Sequence, residues 1–286
     1  MLRASLIGLL LICVGLLTPT GSASQGPTPR PTPSPTPSPG PPPLLGGAPA
    51  PRLDGELAMR SYSVDFYRLK GGLEARVIQA LALPVESAII TASNELGAPL
   101  VGRVSVRFEP PQSGPCAIRG LTLSNERTIR LYYAPGSDPQ RIINILAHEF
   151  FHQLQRDYYG ETAHRRSDVI LLEGMATWGS RAYFREPDGR FSYQVRVEEA
   201  LRDGTLLPLT TSLERDCRTT TRVNIYNEWA SFVEFLLARY ERPKFDAVYR
   251  ESSGRAAGSA NYRGVYGKPL AELEREWRAW LEKGRR

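Results

Sequence analysis

A proline-rich segment near the N-terminus limits what this chain can fold into. Twelve of the 24 prolines lie between Pro27 and Pro51, where most of them alternate with threonine or serine. Because proline lacks a backbone N–H and fixes φ, the segment favours an extended polyproline II conformation over any hydrogen-bonded element. Residues 25–52 are therefore predicted to form a linker, and residues 53–286 are long enough for one domain with a sizeable core.

Residues 1–24 have the pattern of a secretory signal peptide. Arg3 precedes an apolar run from Leu6 to Leu17, and small residues follow from Gly21 to Ser24. The run of 12 residues is short for a helix that crosses a bilayer. The pattern predicts an extracytoplasmic protein that is secreted or held at the cell surface. An uncleaved N-terminus that tethers the protein to the membrane is the alternative.

The cysteines fit the same compartment. Cys13 lies within the apolar run and would leave with a signal peptide, so Cys116 and Cys217 remain. An even number of cysteines in an oxidising compartment favours one disulfide. Two free buried thiols are the alternative.

The charge pattern argues against nucleic acid as a partner. The formal net charge is +6, but acidic residues alternate with basic ones in stretches such as Glu272 to Lys283. The longest basic runs are pairs such as Arg165 and Arg166. A nucleic-acid-binding surface concentrates positive charge on one face, so no nucleic acid partner is expected.

Hydrophobic periodicity predicts an α+β fold, with a strand-containing N-terminal lobe followed by a mainly helical C-terminal lobe. Strands are expected at Tyr62 to Tyr67 and at Val101 to Phe108, and a hairpin around Asn125 and Glu126. A helix is expected from Leu73 to Glu95, with Pro84 breaking or restarting it. Further helices are predicted from Pro139 to about Asp157, from Ser167 or Asp168 to about Phe184, around Trp229 to Tyr240, and from Leu270 to Leu281.

The helix after Pro139 contains an HExxH motif, from His148 to His152. Residues four apart lie on one face of a helix, so His148 and His152 can bind one metal ion, with Glu149 beside them. Two imidazoles suit zinc, and the carboxylate of Glu149 can act as a general base. The motif contains two of the three histidines in the chain. A pair of core histidines on an apolar helix is the alternative.

A catalytic zinc site requires a third protein ligand. His164 does not fit the HExxHxxGxxH spacing, which this chain breaks with Gln155 and Tyr158, and Asp157 is too close along the same helix. Glu173 lies in an apolar segment, where a carboxylate is costly to bury unless it is paired or bound to a metal. An exposed position on an amphipathic helix is the alternative for Glu173. Gly174 and Ala176 should let this segment pack closely on the HExxH helix.

The sequence HEFFH, followed about twenty residues later by LLEGMATW, resembles the gluzincin zinc metallopeptidases. It is most similar to the peptidase MA-like domains, which are related to the aminopeptidase N and thermolysin families. The resemblance covers most of residues 101–283. It implies a cleft with one zinc ion per chain, bound by His148, His152 and Glu173. It also implies that Glu149 is the general base and that Tyr226, at the start of a helix, stabilises the oxyanion.

Two departures from these families bear on the activity. The GxMEN motif, which holds the free amine of the substrate in aminopeptidases of this group, does not occur. A thermolysin-type histidine after the third ligand is also missing, because no histidine follows His164. The segment from Arg119 to Tyr133 occupies the place of that motif and should contain an edge strand able to pair with a peptide. The resemblance thus implies an endopeptidase acting on peptides or proteins. A non-catalytic extracellular zinc-binding module of the same fold is the alternative.

Overall fold

The computed structural model describes residues 50–285. The predicted signal peptide or anchor at residues 1–24, Cys13 and most of the predicted linker lie outside the described residues.

A five-stranded mixed sheet forms the N-terminal part of the described chain. Its strands are β1 (Glu56–Arg60), β2 (Val64–Arg68), β3 (Val104–Glu109), β4 (Gly120–Leu123) and β5 (Thr128–Tyr132). Their order is β1-β2-β3-β5-β4, in which β2, β3 and β5 are parallel and the two outer strands are antiparallel to their neighbours. Phe66, Val106 and Ile129 are paired neighbours across the parallel strands and are fully buried. β4 is an edge strand of this sheet.

Helices make up most of the chain beyond the sheet, which confirms the predicted α+β class. The helices of the described part are α1 (Ala75–Leu96), α2 (Pro139–Tyr159), α3 (Glu161–Arg166), α4 (Val169–Gly179), α5 (Ser192–Arg202), α6 (Thr219–Arg250), α7 (Tyr262–Tyr266) and α8 (Leu270–Glu282). α1 connects β2 to β3, and the other helices follow the sheet. α6 bends at Glu241, two residues before Pro243.

By length and composition alone, helix α1 could cross a membrane, and it is the one helix within residues 50–285 that meets both criteria. Its Ile78, Leu81 and Val85 are fully buried, and it packs against α2 and β1. The prediction that Pro84 breaks this helix is wrong, because α1 continues through it. The carbonyl that Pro84 leaves without a donor belongs to Ala80, an exposed residue, so water can satisfy it.

Helix α2 begins as predicted. The Asp138 side chain accepts a hydrogen bond from the Gln140 N–H at 3.0 Å, and Pro139 occupies the first turn. Buried side chains recur every four residues along one face of the helix, at Ile142, Leu146, Phe150 and Leu154. His148 and His152 are offset from that row by two positions, or about 200°. Burial of the apolar row therefore turns both histidines away from it.

The other helix boundaries differ in part from the predictions. α4 ends at Gly179, before the predicted end near Phe184, and the Ser180 hydroxyl donates to the Ala176 carbonyl at 2.7 Å. Such a side-chain bond competes with the helical ladder. The sequence patterns did not identify four short elements: β1, α3, α5 and α7.

The packing of α4 also differs from the prediction. A Cβ atom at Gly174 would lie 2.6 Å from the Trp229 carbonyl oxygen, so this glycine allows close approach to α6 and not to α2. Against α2 the small residue is Gly179, where a Cβ would overlap the Phe151 ring. Gly174 and Gly179 therefore allow α4 to pack closely against α6 on one side and α2 on the other.

The Cys116–Cys217 disulfide is present, with the two Cα atoms 5.1 Å apart, which confirms the predicted pairing. It joins the loop before β4 to the loop before α6. Beside it, the Thr219 N–H donates to the Pro115 carbonyl at 3.2 Å, and the Arg222 guanidinium donates to the Ala117 carbonyl at 3.3 Å. The disulfide is typical of an oxidising, extracytoplasmic compartment.

Removal of the disulfide should destabilise the fold. The bond closes a loop with a sequence separation of 101 residues. For a loop of that size the chain-entropy contribution is about 4.7 kcal/mol. The double variant Cys116→Ser/Cys217→Ser should therefore have an unfolding free energy lower by about 4 to 5 kcal/mol, measured by urea denaturation. Peptide mapping after alkylation provides the check on the wild type: both cysteines should resist labelling, and free thiols at both positions would contradict the pairing.

Candidate metal centre

Three side chains from α2 and α4 bring their donor atoms to one point. His148 Nε2 lies 3.2 Å from a Glu173 carboxylate oxygen, and His152 Nε2 lies 3.3 Å from the same oxygen. The two Nε2 atoms are 3.2 Å apart. Two ligand atoms on a tetrahedral zinc, each about 2.0–2.1 Å from the ion, are separated by roughly 3.3–3.4 Å. These three atoms thus have the mutual spacing of ligands on a single ion, and the group could hold a metal.

A buried glutamine orients one of the imidazoles. Gln155 Oε1 lies 2.9 Å from His152 Nδ1, and Gln155 Nε2 donates to the Leu172 carbonyl at 2.9 Å. The second bond fixes the amide, so Oε1 can only accept, and the proton of a neutral His152 must be on Nδ1. The lone pair of His152 Nε2 then points at the other two ligand atoms, His148 Nε2 and the Glu173 carboxylate oxygen. This is the tautomer that a metal ligand needs.

The electrostatics of the group favour a cation. Burial alone would raise the pKa of Glu173, but the neighbouring imidazoles of His152 and His148 hold it well below its usual range. Burial opposes charging of His152, yet the carboxylate of Glu173 raises its pKa above the ordinary value. A carboxylate facing two nitrogen lone pairs in a mostly enclosed place requires a positive charge, which a proton or a divalent cation can supply.

The Glu149 carboxylate lies beside this group and is held by the edge strand. The Thr122 hydroxyl lies 2.6 Å from Glu149 Oε2 and 2.9 Å from the Glu149 carbonyl oxygen. Gly120 is on the same face of β4, and a Cβ atom there would lie 2.8 Å from Glu149 Cδ. A larger residue at position 120 would therefore force the Glu149 side chain out of its present position. Glu149 is 7% exposed and, like His148, lines the cavity.

The phenol of Tyr226 faces the same group from α6. Its ring stacks on His148, with 6.1 Å between centroids, and on Trp229, with 5.6 Å. Burial, followed by the negative charge of Glu173, raises the pKa of the Tyr226 phenol well above its usual range. The hydroxyl therefore stays protonated and able to donate a hydrogen bond at neutral pH.

Tyr226 does not open its helix, contrary to the expectation. α6 begins at Thr219, about two turns earlier. The Thr219 N–H in the first turn is satisfied by the Pro115 carbonyl, across from the disulfide. This contact extends the helix beyond the apolar pattern that starts near Trp229.

An open cavity of about 860 Å³ contains the whole arrangement. Its walls come from β4, α2, α4 and α6, and the three candidate ligands, Glu149 and Tyr226 all line it. The exposed apolar side chains of Leu121 and Val223 lie on two of these walls. A flexible chain could reach the candidate metal group from solvent.

The two rejected ligand candidates are engaged elsewhere. His164 is buried between the Ser124 hydroxyl, at 3.0 Å, and the Tyr249 hydroxyl, at 3.2 Å. Burial lowers its pKa to about 3, so it stays neutral. Asp157 pairs with Arg127 at 2.9 Å and accepts from the Val101 N–H. Neither side chain belongs to the group of three.

Sequence reasoning missed three residues that support the site. Gln155 could have been found, because it lies three residues after His152 and therefore on the same face of the helix. Gly120 and Thr122 gave no such signal, since their contact with α2 depends on how the edge strand packs.

Comparison with models of known protein families gave no match, and comparison with curated proteins gave none either.

The geometry of the group predicts one bound divalent metal per chain. His148→Ala and Glu173→Ala should each lose most of it, because two ligands hold an ion far less well than three. Gln155→Leu should weaken zinc affinity by about 10- to 100-fold, through loss of the imidazole orientation. Metal content by mass spectrometry and affinity by chelator competition measure these effects.

Two variants serve as controls. Glu149→Gln should retain the metal, and so should Glu126→Gln, which changes an exposed carboxylate that lines the same cavity. Full metal occupancy in Glu173→Ala would remove that residue from the ligand set.

Proposed function

We propose that this protein is a zinc metallopeptidase of the gluzincin type, most similar to the peptidase MA-like domains. The observation that carries the proposal is the convergence of His148, His152 and Glu173 in an open cavity, with the carboxylate of Glu149 beside them. A structural zinc site uses four protein ligands and needs no neighbouring base. Three ligands with a carboxylate next to an open position are the pattern of a hydrolytic site.

Zinc suits the donor set better than a hard cation does. Two imidazole nitrogens and one carboxylate oxygen are typical of zinc, whereas magnesium and calcium prefer oxygen ligands. When bound, zinc polarises a carbonyl group and lowers the pKa of a water molecule to about 7.

The residues of the chain would then do the following. Glu149 accepts a proton from the attacking water and passes it to the leaving amine. Thr122 holds the Glu149 carboxylate in position through the 2.6 Å hydrogen bond. The neutral phenol of Tyr226 donates a hydrogen bond to the oxygen on which negative charge develops. A phenol brings no charge that would compete with the metal.

The edge strand supports a peptide substrate. One side of β4 pairs with β5, and β4 is the last strand in the sheet order, beside the cavity. An extended peptide could add to the sheet there, through main-chain hydrogen bonds that do not depend on its sequence. Such binding needs no free terminus, and the chain has no GxMEN motif to hold a free amine. Both features favour an endopeptidase.

The proposed place of action is outside the cell, where the proline-rich linker would separate the enzyme from a membrane tether or be secreted with it. Peptides or proteins are the proposed substrates, and no role for nucleic acid is proposed. A non-catalytic zinc module of the same fold is the competing function. The buried Glu149, held beside the candidate ligands by Thr122, favours the enzyme, because a module that only binds zinc would not need it.

A digest of a denatured proteome tests the proposal. The zinc-loaded protein should cut internal peptide bonds, and a chelator or the Glu149→Gln variant should abolish the cuts, which mass spectrometry would map. Glu149→Gln keeps the size of the side chain and leaves the three candidate metal ligands unchanged, so it separates catalysis from metal binding. Cuts confined to the residue next to a free amine would contradict the endopeptidase assignment. Zinc binding without any cut would favour the non-catalytic module.

The Tyr226→Phe variant tests the oxyanion role. Loss of one preorganised donor should lower kcat by about a hundredfold, while KM, zinc content and thermal stability stay near wild type. Stacking on His148 and Trp229 is kept by phenylalanine, so the variant removes only the hydroxyl. An unchanged kcat would exclude Tyr226 from the mechanism.

A further inference from the structure

A second, smaller cavity opens beside the candidate active site. Its volume is about 380 Å³. Arg119, Ile145 and Phe184 line both cavities, so the two are neighbours. The small cavity lies along α2 on the N-terminal side of the metal group, because Ile145 precedes His148 by three residues.

The smaller cavity, called the side cavity below, has one more cationic than acidic side chain on a largely apolar lining, and both of its arginines are exposed. Two arginines line it: Arg119, next to edge-strand residue Gly120, and Arg141, on α2. Asp138 is the acidic residue that lines the cavity, and it lies 3.9 Å from Arg141 on the surface. The Arg119 side chain makes no hydrogen bond or ion pair with residues 50–285. At least one guanidinium group is thus left without an anion.

Neutral hydrogen-bond donors complete the lining. Asn144 Oδ1 accepts from the Gln140 side chain at 2.8 Å, which leaves the Asn144 amide nitrogen free to donate. Tyr133 donates to the Arg141 carbonyl at 3.2 Å, and burial raises the pKa of its phenol to about 12, so it adds no negative charge. Two cations and an amide donor around a small cavity suit a carboxylate.

The position of Arg119 relates this cavity to a bound substrate. The Arg119 carbonyl accepts from the Tyr132 N–H at 3.0 Å, so the ladder between β4 and β5 extends to this residue. A peptide that adds to the edge of β4 would therefore pass Arg119 one residue away from Gly120. Because Gly120 contacts the Glu149 carboxylate, the side cavity lies close to the bond that would be cut.

We propose that the side cavity is a specificity subsite that accepts an acidic side chain of the substrate, with Arg119 and Arg141 as its determinants. The inference rests on the proposed peptidase function, and it adds the class of substrate: peptides with aspartate or glutamate close to the scissile bond. It also predicts that lysine or arginine at the same position is disfavoured, since a second cation would meet Arg119, which has no acidic partner among residues 50–285.

Matched peptides test the subsite. Blocked peptides built on one cleaved sequence carry glutamate, glutamine or lysine in turn at each position around the cut. At one position glutamate should raise kcat/KM about fivefold over glutamine, and lysine should lower it. Arg119→Ala and Arg141→Ala should reduce that ratio towards one, because they lower kcat/KM for the glutamate peptide more than for the glutamine peptide. Arg119→Glu should shift the preference to lysine.

Arg165→Ala is the matched control, since Arg165 is an exposed arginine that lines only the larger cavity. It should keep the glutamate preference. Absence of a glutamate preference, or a preference that survives in Arg119→Ala/Arg141→Ala, would overturn the subsite.

Peptide binding to the uncleaving Glu149→Gln variant, measured by calorimetry, separates the two proposals. The first possible outcome is that the wild type cuts no peptide, but Glu149→Gln binds the glutamate peptide more tightly than the glutamine peptide and loses this preference when Arg119 is also replaced. In that case the peptidase function fails while the subsite stands. If peptides are cut and bound without regard to charge, the subsite fails while the peptidase function stands.

Discussion

The meeting of two imidazole lone pairs and a carboxylate at one point is the interaction on which the site depends. His148, His152 and Glu173 approach within 3.3 Å of one another in a mostly buried place. Without a cation this arrangement would be costly, because a mostly buried carboxylate would face two nitrogen lone pairs. A divalent ion turns the same geometry into a favourable one, so the group makes physical sense as a metal site.

The rest of the fold keeps these three atoms together. The apolar row of α2 sets the rotation of that helix, and Gln155 orients His152 within it. α4 is fixed at its start by the buried Asp168, which caps the helix and accepts from the Tyr262 hydroxyl at 3.1 Å. Farther along, Gly174 allows the backbone of α6 to approach. The position of Glu173 is therefore set by contacts on both sides of it.

Residues that share one helix could be placed from the sequence pattern, whereas contacts between distant segments could not. His148 and His152 share a helix, so a spacing of four residues was sufficient to place them together. Glu173 could be selected because a carboxylate in an apolar run needs a partner. The start of α6 could not, since it depends on Thr219 meeting Pro115 beside the disulfide. The contacts of Gly120 and Thr122 with Glu149 could not be predicted either, because they form only when the edge strand packs on α2.

Anomalous X-ray scattering at the zinc edge, from a crystal of the purified protein, tests the central claim most directly. The claim predicts one peak at bonding distance, about 2.0–2.2 Å, from His148 Nε2, His152 Nε2 and a carboxylate oxygen of Glu173. A zinc-saturated crystal with no peak at that point, or with the ion bound by other side chains, would contradict it.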